Sequence, residues 1–303
     1  TQIIVRKGDL LMAQRQTHST STIFGEIAYT DQGSGPAALF VHGAFFNGHF
    51  WSPLIDRVKD VRRCIAIDLL AHGSTKITPT QDVSLSAQAE MLEAFCHNLH
   101  LDKIDLVAND SGGAIAQIFA SRHPERIRTL TLTNCDVHTE CPPDALKPLL
   151  TAVESGALPA AGKKMLADSE FAKESFAVGY EHPERIEAAT MKTYLTPLFS
   201  SQEAADNLTR FFKSIDRRDL VAAERGLSTL TAPTLIVWGK ADIFFDVKWA
   251  RWLRDTIPGC KRLIELDSAK LFFPEERPDE LASALREHWQ TVKEAAGTGS
   301  ANC

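Results

Sequence analysis

Val107-Ala108-Asn109-Asp110-Ser111-Gly112-Gly113-Ala114 decides how this 303-residue chain is read. An apolar run over residues 103–108 (K-I-D-L-V-A) leads into it, and a helical run over 114–123 leads out. Where a strand turns sharply into a helix, two backbones almost touch, so the flanking positions demand small side chains. A nucleophile displayed on such a turn has small residues two before, two after and three after it. Counting from Asp110 finds Ala108, Gly112 and Gly113, a complete match. Counting from Ser111 finds Asn109, Gly113 and Ala114, with Asn where the turn is tightest. The spacing therefore predicts a carboxylate, not a hydroxyl, at the tip.

Before this stretch, strand-like runs occupy residues 17–22, 23–30, 37–41 and 63–67, and helical spacing occupies 51–58 and 84–99. After it, residues 127–133 (I-R-T-L-T-L-T) read as a strand. Residues 233–238 and 262–266 read as two more, with helices over 247–257 and 281–292. Strands alternating with helices predict a parallel sheet covered on both faces. Between about 136 and 230 the alternation stops and only helical patterns occur, over 145–153, 171–178, 186–194 and 207–212. The simplest division is a core of residues 16–135 and 231–295 interrupted by a helical cap, or lid, of 136–230. Residues 1–15 read as an N-terminal extension and 296–303 as a flexible tail.

Composition narrows the function classes. Hydrophobic residues make up 44% and charged residues 24%, ordinary for a soluble globular chain. The net charge is −6 without any block of like charges, so neither nucleic acid nor an anionic membrane is expected as a partner. There is no apolar run of spanning length, and residues 1–12 lack the pattern of a secretory signal. Six cysteines (Cys64, Cys96, Cys135, Cys141, Cys260, Cys303) show no metal or redox spacing and read as thiols in a reducing cytoplasm. A homo-oligomer is compatible with all of this.

Taken together, H-G-A at 42–44, D-L-L-A-H-G-S at 68–74, the turn at Asp110, H-P-E-R-I at 123–127 and W-G-K-A-D at 238–242 resemble the α/β-hydrolase superfamily. The acidic residue at the turn resembles its carboxylate-nucleophile subgroup, the haloalkane dehalogenases and epoxide hydrolases. The resemblance implies a mostly parallel eight-stranded sheet flanked by helices, with an inserted helical lid over a largely apolar pocket. It also implies a small-molecule substrate and neither metal nor organic cofactor. It makes Asp110 the nucleophile, Asp242 the acid that orients a catalytic histidine, with Asp136 after the preceding strand a second candidate for that acid, and the backbone N–H groups of Ala44 and Ser111 an oxyanion hole. His42 and His72 fall in loop motifs where the family's histidines are structural.

The histidine is where the pattern breaks. In the family it follows the last strand, in a G-H-F-P-like stretch before an E-x-P segment. Residues 267–278 here read D-S-A-K-L-F-F-P-E-E-R-P, placing Leu271, or with a one-residue slip Phe272, in its slot. Neither can activate the water that cleaves an alkyl-enzyme ester. Asp136 and His138 are candidate substitutes. Haloalkane dehalogenases also carry Trp after the nucleophile, where Ser111 stands, and often Asn where Ala44 stands. Epoxide hydrolases need lid tyrosines, and Tyr180 and Tyr194 are available.

Three readings follow. In the first, Asp110 attacks a small, mainly apolar substrate, with epoxide opening ahead of dehalogenation because of the two tyrosines. In the second, Asp110 is a general base for a lyase, isomerase or cyclase reaction, where losing the histidine matters less. In the third, the chain is a degenerate hydrolase that binds a ligand without turnover.

Overall fold

A computed structural model describes residues 16–298. Its eight strands are β1 (Thr17–Thr22), β2 (Gly25–Gln32), β3 (Ala37–Val41), β4 (Arg63–Ile67), β5 (Ile104–Asp110), β6 (Ile127–Cys135), β7 (Thr234–Gly239) and β8 (Cys260–Leu266). They form one sheet in the order β1-β2-β4-β3-β5-β6-β7-β8. β2 runs antiparallel to β1 and β4, and every other pairing is parallel. β3, β5 and β7 are buried along their whole length, which is why they read as continuous apolar runs rather than alternating ones.

Helices flank this sheet: α1 (Ser52–Val58), α2 (Leu85–Asn98) and α3 (Ser111–Arg122) lie before β6 in the chain. Six more follow β6: α4 (Lys147–Glu154), α5 (Leu158–Ala167), α6 (Ser169–Phe176), α7 (Ala188–Phe199), α8 (Gln202–Ser214) and α9 (Arg217–Leu227). After β7 come α10 (Val247–Thr256), the single turn α11 (Phe273–Glu276) and α12 (Pro278–Thr298). Ser84 caps α2 by accepting from the Ala87 N–H, as a serine before an apolar-periodic run should. The architecture is the α/β-hydrolase fold expected from the motifs.

Local differences from the sequence reading have identifiable causes. Residue 23 was expected to open β2, but Ile23 sits in the β1–β2 turn and is 88% exposed. α5 begins Leu-Pro and contains Gly162, both of which read as breakers. Pro159 is tolerated in the first turn, and at Gly162 a Cβ would run into the Phe199 ring. α9 (R-R-D-L-V-A-A-E-R-G-L) buries only Leu220, Ala223 and Leu227, a stripe too thin to stand out. α12 starts at Pro278 rather than 281 and runs to Thr298, three residues into the stretch read as a tail. Residues 299–303 and the 1–15 extension lie outside the described residues. Among those described, no helix is long and apolar enough to cross a membrane, and Cys96, Cys135, Cys141 and Cys260 are free thiols.

At the N-terminal end of β5, far from its turn, Asp105 is a fully buried carboxylate. Arg62 (2.7 Å) and Arg128 (3.1 Å) donate to one oxygen and Thr129 (2.9 Å) to the other. Removing the acceptor strands two guanidinium groups in a partly buried site. Asp105→Ala is expected to lower unfolding free energy by about 3–5 kcal/mol in urea denaturation, without moving the residues at the other end of the strand.

Candidate active site

Asp110 ends β5 and precedes α3 with φ 57° and ψ −136°. A side chain held in this region costs about 1–3 kcal/mol, and such strain persists only where the surroundings enforce it. Here three glycines do so. A Cβ on Gly112 would lie 2.5 Å from the Val41 carbonyl oxygen, one on Gly113 2.7 Å from Cys135 Sγ, and one on Gly43 2.5 Å from Asp110 Cγ. The small residues of the opening stretch are thus contacts between β5, β3, β6 and α3, and the register places Asp110 at the apex.

The Asp110 carboxylate receives the backbone N–H groups of Ser111 and Ala44. It lines a cavity of about 540 Å³. The other lining residues come from the loop after β3 (Ala44, Phe45), from α4 to α6 and α8 (including Leu149, Met165, Phe176 and Phe212), from the loop after β7 (Phe244, Phe245), and from Leu271 and Phe272. Among the described residues Asp110 is the only ionisable group in that lining. Ser175 is the one other polar residue, and it is exposed, with its hydroxyl donating to the Phe171 carbonyl at 2.7 Å.

Two further aspartates stand behind the cavity wall at the ends of neighbouring strands. Asp136 directly follows β6. Asp242 lies in the loop after β7, where it accepts from Asn134 Nδ2 (2.8 Å) and the Phe244 N–H (2.8 Å). Burial pushes Asp136 up to about 7, against a hydrogen bond from the Cys141 thiol. Burial likewise pushes Asp242 up to about 7, opposed by its Phe244 and Asn134 donors and by the charge of Lys270. Asp110 is raised well above the ordinary carboxylate range. Burial is the main cause, with the charges of Asp136 and then Asp242 adding, while the Ser111 and Ala44 N–H groups pull the other way. Among the described residues no His, Cys, Asp or Glu side chains group so as to hold a metal ion.

The remaining candidates are elsewhere. His138 pairs with Glu224 (3.2 Å) and packs 4.9 Å from the Trp252 ring, outside the cavity. As a substitute base for Asp110 it is misplaced. Tyr180 (2.7 Å) and Tyr194 both donate their hydroxyls to the half-buried Glu275, and neither lines the cavity. The expectation that they face a substrate is corrected accordingly. His42 donates Nδ1–H to the Gly43 carbonyl (2.7 Å) and accepts the Leu69 N–H (3.1 Å). Burial first, and His72 second, lower it to about 3. His72 bonds the Leu70 carbonyl (2.9 Å) and is lowered to about 4 by burial. Both are neutral supports for the loops they sit in.

Sequence reasoning missed two residues that shape the site. Asn109, directly before the apex, donates to Thr133 Oγ1 (2.9 Å), the Asn134 carbonyl (3.3 Å) and the Leu271 carbonyl (3.1 Å). Glu275 was read only as part of F-P-E-E-R-P, yet it is the acceptor that occupies both tyrosines. Neither has a sequence signal, because each is defined by a partner far away in the chain.

A model of the alpha/beta hydrolase fold family matches residues 36–277. Haloalkane dehalogenase 2 of Mycobacterium tuberculosis is 29% identical over 273 residues, 88% of this chain and 92% of that protein. The cis-3-alkyl-4-alkyloxetan-2-one decarboxylase of Shewanella oneidensis is 26% identical over 297 residues, 93% of this chain and 90% of that one. Among solved structures, haloalkane dehalogenase DbeA from Bradyrhizobium elkani superimposes with a TM-score of 0.78 at 21% identity, covering 92% of this chain and 99% of its own. Epoxide hydrolase CorEH gives 0.77 at 16% identity, covering 91% and 99%. At these identities the superpositions speak to the fold alone.

The raised carboxylates make stability depend on pH. A carboxyl whose folded pKa exceeds its unfolded value of about 3.9 binds its proton more tightly when folded. Its contribution is fully present below pH 4 and is lost as pH rises through 7. Thermal melts of wild type and Asp242→Asn should therefore shift in favour of the variant between about pH 4 and 7 and keep a constant offset above that. A pH-independent offset would mean that Asp242 is not held protonated.

Proposed function

Because the chain belongs to the alpha/beta hydrolase fold family, we propose that it is an enzyme of that family whose reacting group is Asp110. It takes a small, mainly apolar substrate and moves a proton to or from it, rather than hydrolysing an alkyl-enzyme ester. In this reading residues 16–135 and 231–295 are the catalytic core, and 136–230 are the lid that supplies most of the cavity wall.

One observation carries the choice. Leu271 and Phe272, which the motif reading sets in the histidine's slot, line the same cavity as Asp110. A covalent route needs a base there to activate water in its second step, and a carbon surface supplies none. Proton transfer needs only a placed carboxylate whose pKa lies nearer neutrality than usual, and burial with two neighbouring aspartates provides that for Asp110. The decarboxylase among the relatives is an example of a protein of similar sequence named for a non-hydrolytic reaction.

A second reading has its own support. The Ser111 and Ala44 N–H groups on the Asp110 carboxylate would also hold the carbonyl oxygen of an ester formed there, and several relatives are named dehalogenases. Such an ester would accumulate for want of a base. Epoxide opening loses its advantage over dehalogenation, since Glu275 takes both tyrosine hydroxyls. A silent binding protein would keep the cavity and lose nothing when Asp110 is replaced.

Intact-protein mass spectrometry after exposure to panels of haloalkanes and epoxides separates these readings. The proton-transfer reading expects no adduct, together with solvent-deuterium incorporation into a turned-over apolar substrate that Asp110→Asn abolishes. A stable alkyl adduct on Asp110, which Leu271→His then converts into hydrolytic turnover, would establish the covalent reading instead. Ligand affinity unchanged in Asp110→Asn, with no turnover in the parent protein, would favour the silent one.

A further inference from the structure

The cavity has an unusual charge balance for so apolar a space. The C-terminal ends of three adjacent strands, β5, β6 and β7, carry or lead into Asp110, Asp136 and Asp242. Lys270 acts on Asp242, but among the described residues no lysine, arginine or histidine lines the cavity. Asp110 receives two backbone N–H groups and, among the described residues, no side-chain donor. It is 9% exposed, and that exposure faces the cavity. Burial holds such a carboxyl back from ionising, and a positive partner placed against it in the cavity would favour its charged form.

The walls suit one kind of partner. Seven phenylalanines line the cavity. Phe45 stands among Phe176 and Phe212, with ring centroids 5.7 and 5.2 Å away. Aromatic faces attract a cation, most strongly where water is excluded. A metal ion is not that cation, because the described carboxylates do not converge as a ligand set. An anionic substrate would meet Asp110 with Asp136 and Asp242 behind it. A neutral one would do nothing to favour the charged form of Asp110.

We propose that the cavity takes an organic ammonium ion with an apolar body, its nitrogen against Asp110 and its carbon chain among the phenylalanines. This rests on reading the Asp110 cavity as the substrate site, and it adds the substrate's charge. The ammonium N–H donates to the carboxylate oxygen facing the cavity, while the Ser111 and Ala44 amides hold the carboxylate in place.

Isothermal titration calorimetry with n-octylamine, octanol and octanoate tests the charge at constant shape. On the wild-type chain the amine should bind at least about ten-fold more tightly than the alcohol, and the carboxylate more weakly than either. Asp110→Asn should erase the amine's advantage while leaving the alcohol's affinity within about two-fold. Asp136→Asn and Asp242→Asn, which change only the field behind Asp110, should each reduce the advantage partially. They keep the test available if the Asp110 variant melts early. Equal affinity for amine and alcohol, an advantage that survives Asp110→Asn, or binding of none of the three overturns the proposal. Should it fail while Asp110→Asn still abolishes deuterium incorporation, proton transfer stands and only the ammonium is lost. Should the ammonium preference hold without any such incorporation, the reverse is true.

Discussion

The structure depends on how closely β5, as it becomes α3, approaches the strands beside it. Gly112 lies under the carbonyls of Val41 and His42, Gly113 against Cys135, and Gly43 against the Asp110 side chain itself. No side chain fits at any of the three. Asp110 is thereby lifted into a backbone conformation it would not otherwise hold, with the first amide of α3 turned toward its own carboxylate. The same contacts bring the Ala44 amide to that carboxylate from the end of β3. Position, strain and the two donors are one packing arrangement, so the site cannot be loosened at one of these points without disturbing the others.

What this arrangement does electrically follows from where the sheet ends. Parallel strands bring their C-terminal ends to one edge, and ligand sites of open α/β sheets lie there. In this chain β5, β6 and β7 each deliver an aspartate to that edge, and the helices from α4 to α8 roof it with carbon. Burial raises each of these carboxyls, and the charges of Asp136 and Asp242 raise Asp110 further. Asn134 restrains the cluster: it accepts the Gly239 N–H (2.7 Å) and donates to both the Gly239 carbonyl (2.9 Å) and Asp242. The result is a set of acids held above the ordinary carboxylate range rather than fixed as anions, which suits proton transfer better than it suits a permanent nucleophile.

The fold was legible because its signals are local. Ala108, Gly112 and Gly113 announce the turn within six residues. Apolar runs announce the buried strands, and Ser84 announces α2. The apex followed from the same local spacing, whereas the two amide donors and the two aspartates came from the family resemblance as expectations. The walls were not legible, because which face of a lid helix points inward is set by packing between helices that touch only after folding. Tyr180 and Tyr194 show the limit. Their position in the insertion was plain, but their partner Glu275 lies 95 and 81 residues away, and nothing near either tyrosine foretells it. α5 hid for the opposite reason, since Gly162 looks like a breaker until the Phe199 ring is in place.

The side chains and backbone of the loop at residues 271–277 are committed to holding the molecule together. The Phe272 N–H donates to the Gly179 carbonyl (3.0 Å), and the Phe272 ring covers Gly179, where a Cβ has no room. Glu276 accepts the N–H groups of Glu181 and His182 (both 2.8 Å), Arg277 pairs with Glu181, and Glu275 accepts both tyrosines. From the other side, Asn109 holds the Leu271 carbonyl. A loop bound this way to both the sheet and the helical insertion has little freedom to swing a catalytic side chain in and out. It presents a fixed wall of carbon to Asp110. If Asp110 reacts as proposed, it does so against an apolar surface on this side of the cavity.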